Sequence, residues 1–102
     1  MMTETVTGRK KRTRYEIIHD ILSQCENGAK KTWLMYKANL SYELTNNYIN
    51  KLVEKELITQ KDGLYYLTEK GKKLLELLKE YKEKKTALDK VTAQIKEIYG
   101  ED

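Results

Sequence analysis

Four side chains between Ser41 and Glu56 have the chemistry to read a partner: Asn46, Asn47, Asn50 and Lys51. An asparagine amide offers two N–H donors and a carbonyl acceptor, which is what pairing with the edge of a base requires. Ser41 is suited to cap a helix, and Leu44, Tyr48 and Leu52, flanked by Ile49, follow it at helical spacing. At about 100° per residue from Leu44, the opposite arc holds Glu43, Asn46, Asn47, Asn50, Lys51 and Glu54. Asparagine is a poor helix former, about 0.5–0.7 kcal/mol worse than alanine. Stability alone would favour Lys, Glu or Ala on such a face. The arrangement predicts a helix lying in a DNA groove, and an ordinary solvated face is the competing reading.

No other constellation calls for chemistry. The chain has one His and one Cys, no glycine-rich phosphate loop, and no Ser/His/Asp or paired-carboxylate set apart from helix-surface charge. His19 has no second ligand at metal spacing and reads as a polar bystander. Cys25 reads as a small buried hydrophobe, since no cation or second cysteine stands near it in sequence to activate it. Pairs such as Glu76 with Lys79 and Glu80 with Lys84 are ordinary helix-surface neighbours. We expect no catalysis, no metal, no cofactor and no small-molecule substrate. A single cysteine excludes an internal disulfide and fits a reducing, cytoplasmic setting.

With 102 residues, the chain is one domain plus an extension, or a small domain that dimerises. Charged residues make up 35% and hydrophobic ones 39%, with no Phe and no Pro, so eight Tyr with many Leu and Ile must supply the core. No apolar run approaches the ~20 residues needed to span a bilayer, and the N-terminus lacks the apolar segment of a signal peptide. The net charge of +4 lies wholly in residues 1–14, where five basic residues face one acid. The folded body is close to neutral.

The elements that must position the amide face read in order. Residues 1–13 form an expected disordered tail ending in a basic arm, Arg9, Lys10, Lys11 and Arg12, with Arg14 just beyond. Such an arm suits phosphates or a minor groove beside a bound helix, and also a generic solubilising tail. Thr13 to Cys25 reads as a helix through Tyr15, Ile18, Ile21, Leu22 and Cys25, stopped at Glu26-Asn27-Gly28. Lys30 to Ala38 reads as a shorter one, with Thr32 as its cap and Leu34 and Met35 facing inward; spacing leaves Trp33 undecided. Asn39-Leu40 turns tightly into the Ser41 helix, giving a helix-turn-helix with Lys30 and Lys31 where its first helix crosses a phosphate backbone. Leu57 to Gln60, the turn Lys61-Asp62-Gly63 and Leu64 to Leu67 form a hairpin, the wing of a winged helix, with Lys61 as the cation at its tip.

Thr68 then caps a last helix that no Gly or Pro interrupts from Lys72 to Tyr99. Leu74, Leu77, Tyr81, Leu88, Val91, Ile95 and Ile98 fill seven of eight a and d slots, and Lys84 fills the other. At ~1.5 Å per residue the helix is about 46 Å long, too long for the preceding domain to cover. The bare stripe predicts a homodimer, with Leu77, Tyr81, Lys84, Leu88, Val91, Ile95 and Ile98 at its seam. Lys84 at a core slot suits a device that fixes register or orientation.

The strings KKTWLMYKANLSYELTNNYINKLVEKELI and DGLYYLTEKGKKLLELL resemble archaeal winged-helix proteins, in particular the ten-kilodalton chromatin-associated type, the Sso-ten-a or Sul-ten-a proteins. The likeness covers Arg14 to Tyr99, and TWLMYKANLSY and LTEKG are its most specific parts. It implies a mainly α fold with a small β-hairpin: a winged helix over residues 14–71, a dimerisation helix over 72–99 forming an antiparallel coiled coil, and a short tail over 100–102. It also implies binding of double-stranded DNA with little sequence preference, on the chromosome, through Lys30, Lys31, Asn46, Asn47, Asn50, Lys51 and Lys61. An asparagine-rich rather than basic helix departs from that pattern, and the TETVTG tail is an addition. A sequence-specific regulator and a winged helix used only for protein contacts are the alternatives.

Overall fold

Thr13 decides where the chain first becomes helical. Its hydroxyl accepts from the Glu16 N–H at 3.1 Å, while its own N–H donates to the Glu16 carboxylate at 2.8 Å. This reciprocal cap satisfies two N–H groups that the first turn leaves without partners. The structure is a computed structural model and describes residues 12–100. Helix α1 spans Arg14–Gln24, α2 Lys31–Ala38 and α3 Tyr42–Glu54. Strands β1 (Ile58–Lys61) and β2 (Leu64–Leu67) follow, and α4 runs Glu69–Tyr99. The fold is mostly helical, a winged helix-turn-helix with a long C-terminal helix. Of the tail expected over residues 1–13, the first eleven lie outside the described residues, whereas Arg12 and Thr13 are seated on the domain.

Two local expectations change. Helix α2 is capped at Lys30 with no side-chain bond, and Thr32 sits exposed inside its first turn. The stop of α2 is better defined. Asn39 adopts the left-handed conformation, with φ 55°, and the Leu40 N–H bonds back to the Met35 carbonyl at 3.1 Å. That closure turns the chain directly into α3. In α3 the buried face is Thr45, Ile49 and Leu52, whereas Leu44 is 47% exposed and Tyr48 half-buried. The inward face is thus rotated from the apolar stripe. Thr45 allows this because its hydroxyl donates to the Ser41 carbonyl at 2.8 Å, so no polar atom is left unpaired when it is buried.

The wing closes on Asp62 and Gly63, both left-handed with φ 54° and 79°, the backbone of a two-residue primed turn. Lys61 pairs with Leu64 and therefore ends β1 instead of lying in the turn. A third stretch joins the hairpin. Ala29 exchanges both backbone bonds with Tyr65, at 3.0 and 2.8 Å, so the α1–α2 connection runs as an edge beside β2. Gly28 allows this approach, because a Cβ there would stand 2.7 Å from the Tyr66 ring.

Ile21, Leu22, Leu34, Ile49, Ile58 and Leu75 form the centre of one core, with one side chain or more from each of α1 to α4 and the wing. Its last closure is the start of α4. The Thr68 hydroxyl donates to the Glu56 carbonyl at 2.6 Å, the Thr68 N–H to Leu57 at 3.1 Å, and Gly71 lies directly against the Leu57 carbonyl. A methyl group at position 71 has no room without moving backbone. Gly71→Ala should lower stability by about 2–3 kcal/mol, as overpacking against an unyielding neighbour does, measured by urea unfolding; an unchanged midpoint would contradict this packing.

Cys25 is fully buried, and burial pushes its thiol from 9.0 up to about 12. In the native chain it should stay inert to an aromatic disulfide reagent at neutral pH and react only on unfolding. Between those two pH values the unfolded chain releases this proton and the folded chain keeps it, so stability is full below the lower value and falls as pH rises towards the upper one. Cys25→Ala should remove that part of the alkaline slope.

Candidate nucleic-acid interface

Because α3 is held by Thr45, Ile49 and Leu52, its opposite face points to solvent. Glu43, Asn47, Asn50 and Glu54 are exposed there, and Asn46 is half-buried at the edge. Among the described residues, none of the three amides is tied up by a hydrogen bond within the chain, so their donors and acceptors are available. Asn50 also borders a shallow hollow between α3 and the wing, shared with Val53, Glu54, Gln60 and Tyr65.

The start of α2 stands beside this face. Lys30 is exposed at the cap position and Lys31 lies in the first turn, its ammonium 5.7 Å from the centre of the Tyr42 ring. That contact ties the beginnings of α2 and α3 together. On the wing, Thr59, Gln60, Lys61 and Asp62 are exposed. Lys30 adjoins Leu64 of the wing and Asn50 adjoins Gln60, so the start of α2, the wing and α3 border one surface. It is only weakly charged, since Glu43, Glu54 and Asp62 offset the lysines. The spacing pattern gave no sign of Tyr42, Thr59 or Gln60, because they were placed here by how α2 and the wing dock.

The other basic residues go elsewhere. Arg9, Lys10 and Lys11 lie outside the described residues. Arg12, expected on the arm, is engaged by its own fold: its guanidinium donates to Asp20 at 2.7 Å and to the carbonyls of Ala38 and Asn39 at the end of α2. A cation there satisfies carbonyls at the negative end of the helix and pins α1 to the turn. Arg14 and Lys51 line a different groove, on the flank of α3 away from the wing. Asn47 lines the same groove, so Asn47 and Lys51 stand between the two surfaces.

Trp33, undecided from sequence, is an outward residue of α2. Its Nε1 donates to Gln24 at 2.9 Å, its ring lies 5.9 Å from Tyr36, and the Lys37 ammonium is 5.1 Å from its centre. His19 contacts Asp20 at 3.2 Å. The described residues hold no group of three His, Cys, Asp or Glu able to bind a metal, and no helix among them is long and apolar enough to cross a membrane.

The α4 stripe divides. Leu75 and Leu78 enter the core, and Tyr81 packs edge-on to Tyr15 with ring centres 5.5 Å apart, its hydroxyl donating to Thr13 at 3.2 Å. Beyond it Leu88, Val91 and Ile95 are exposed, as is Leu77 before it, and Ile98 is 87% bare. Lys84 is exposed and pairs with Glu80 at 3.5 Å.

Comparison with known proteins agrees with this geometry. The winged helix-turn-helix family matches residues 11–86. Two uncharacterized proteins of Methanocaldococcus jannaschii are similar. MJ0290 is 45% identical over 71 residues, which are 69% of this chain and 34% of that protein. MJ0287 is 38% identical over 73 residues, covering 71% of this chain and 75% of that protein. The chain thus spans about a third of the former relative. Among solved structures, Sso10a-2, a DNA-binding protein from Sulfolobus solfataricus, matches with a TM-score of 0.75 and 28% identity, covering 85% of this chain and 96% of that one. A helix-turn-helix seated in a helical core, a two-stranded wing and a family match over residues 11–86 lead to one assignment: this chain belongs to the winged helix-turn-helix family.

Proposed function

We propose that this protein binds double-stranded DNA as a homodimer, with α3 in the major groove, the start of α2 and the wing against phosphates, and the two α4 helices paired. The observation that carries the reading is the outer face of α3. Among the described residues its amides have no hydrogen-bond partner, and the helix that holds them is capped by Ser41 and packed through Thr45, Ile49 and Leu52. The similarity to Sso10a-2, a DNA-binding protein, supports it.

On this reading Arg9, Lys10 and Lys11 supply the attraction that the near-neutral body lacks, and contact is mainly to phosphates. Sequence preference is then slight and the role is architectural, on the chromosome. The asparagine face favours a second reading, a sequence-selective regulator, in which an amide paired to adenine gives about 1–3 kcal/mol of discrimination per bidentate contact. Titrating two unrelated duplexes separates the two, since equal affinities favour the architectural role. Lys30→Ala and Lys31→Ala should weaken both duplexes alike, each reducing the slope of log affinity against log salt by about one. Affinity that ignores salt would overturn the proposal of phosphate contact.

The case for pairing is the bare stripe on α4. Leu88, Val91, Ile95 and Ile98 leave apolar surface that nothing within the described chain covers. The double variant Leu88→Asp, Ile95→Asp should sediment as a monomer while its winged domain keeps its cooperative unfolding. A parent chain that already sediments as a monomer would rule the dimer out.

A further inference from the structure

Helix α2 buries Leu34 and Ala38 and turns its rings outward: Tyr36 is 72% exposed and Trp33 45%. The core uses neither ring, yet both are held in place. Their centres lie 5.9 Å apart with the planes tilted by 38°, and the Trp33 Nε1 donates to Gln24 at 2.9 Å. Cations flank the indole. The Lys37 ammonium lies 5.1 Å from its centre, and Lys30 shares with Thr32, Trp33 and Leu64 an open hollow that no carboxylate lines. From Asn27 to Tyr42 the sequence holds three lysines and no acid, Glu26 and Glu43 being the carboxylates that bound the stretch. Fixed rings interleaved with cations match one ligand chemistry, base faces joined by phosphates.

We propose that the outer face of α2 is a platform for unpaired nucleotides, one base stacking on Tyr36 and the next on Trp33, with their phosphates beside Lys37 and Lys30. A double helix does not fit this chemistry. Its base faces are covered by their neighbours and only edges reach the grooves, so two outward rings gain nothing from it. A protein partner would also cover the rings, but a stretch with three lysines and no carboxylate suits a polyanion. The Gln24 bond and the Lys37 contact fix the indole before a base arrives, so little side-chain freedom remains to be lost on binding. The inference goes beyond duplex binding and does not depend on it, since Tyr36, Trp33 and Lys37 take no part in the proposed duplex contacts.

Trp33 is the single tryptophan of the chain, so its fluorescence reports the platform directly. A short oligothymidylate added to the full-length chain should quench it, whereas a duplex of the same length, or an abasic strand with the same phosphates, should not. Tyr36→Leu should weaken binding of the labelled strand about tenfold, roughly the loss of one stacked base, while Tyr36→Phe keeps a ring and should stay within about twofold of the parent. Both variants should keep the parent's unfolding midpoint and duplex affinity, because Tyr36 lies outside the core. Lys37→Ala should lower the slope of log affinity against log salt by about 0.7. An oligouridylate tells RNA from DNA as the source, and quenching by either supports the platform. Equal affinities of the parent and Tyr36→Leu overturn it. Equal quenching by the abasic strand or the duplex overturns it as well, by assigning the effect to phosphates alone. Trp33 emission that shifts with protein concentration alone, and no longer does so in Tyr36→Leu, gives the patch to a protein contact and overturns it too. A chain that stacks the strand in this way but ignores duplexes keeps this inference and loses the duplex reading.

Discussion

The junction between the end of α3 and the start of α4 is the constraint on which the rest of the molecule depends. Thr68 binds the Glu56 and Leu57 carbonyls, the Lys70 ammonium reaches the Lys55 carbonyl at 3.0 Å, and Gly71 lets the first turn of α4 lie against the chain leaving α3. Glu56 itself takes a left-handed backbone, φ 61°, to make the corner. These bonds join the helix that presents the amides to the helix that carries the long stripe. Whatever orientation α4 has, α3 follows, because no flexible linker separates them. A winged domain joined in this way keeps the outer face of α3 in a fixed relation to α4.

Electrostatics divides the surface further. The sequence concentrates its net charge in the first fourteen residues, and the fold then distributes the remaining cations over separate surfaces. Arg12 holds α1 against the end of α2. Lys30 and Lys61 lie by the wing residue Leu64, Lys31 lies against Tyr42, and Arg14, Lys51 and Lys55 line the groove among α1, α3 and α4. Local carboxylates nearly neutralise the first of these two surfaces, while none lines the second groove. A nearly neutral surface gains little from bulk attraction, which gives the arm its importance in the proposed binding.

Helix α4 is an element of two characters. Its first turns are a core helix, with Leu75 and Leu78 buried and Tyr81 held between Tyr15 and Thr13. Its remainder projects from a molecule whose extents are 55 × 26 × 20 Å, carrying apolar residues at a regular spacing with ion pairs such as Lys84–Glu80 and Lys85–Asp89 on its flanks. Lys85 also reaches Glu16 at 3.8 Å, and Thr86, Asp89, Lys90 and Ala93 border a hollow shared with Arg12 and Glu16. A helix exposed in this way is stable where something covers its stripe.

The local signals were strong enough to be read directly from residues. Thr13, Ser41 and Thr68 cap the helices they precede, Asp62-Gly63 makes the hairpin turn, and the a/d run specifies an uninterrupted α4. Each is set by neighbours a few residues away, so a one-dimensional pattern contains the cause. What periodicity could not supply was the rotation of α3: a threonine is counted as polar, yet Thr45 is buried because its hydroxyl is satisfied by the preceding turn, and Leu44 is pushed outward. Nor could it supply the Ala29–Tyr65 pairing, the capture of Arg12, or the separation of Lys51 and Arg14 from Lys30 and Lys61. Those depend on contacts between residues far apart in the chain, which only the packing of α1, α2, the wing and α4 around one core decides.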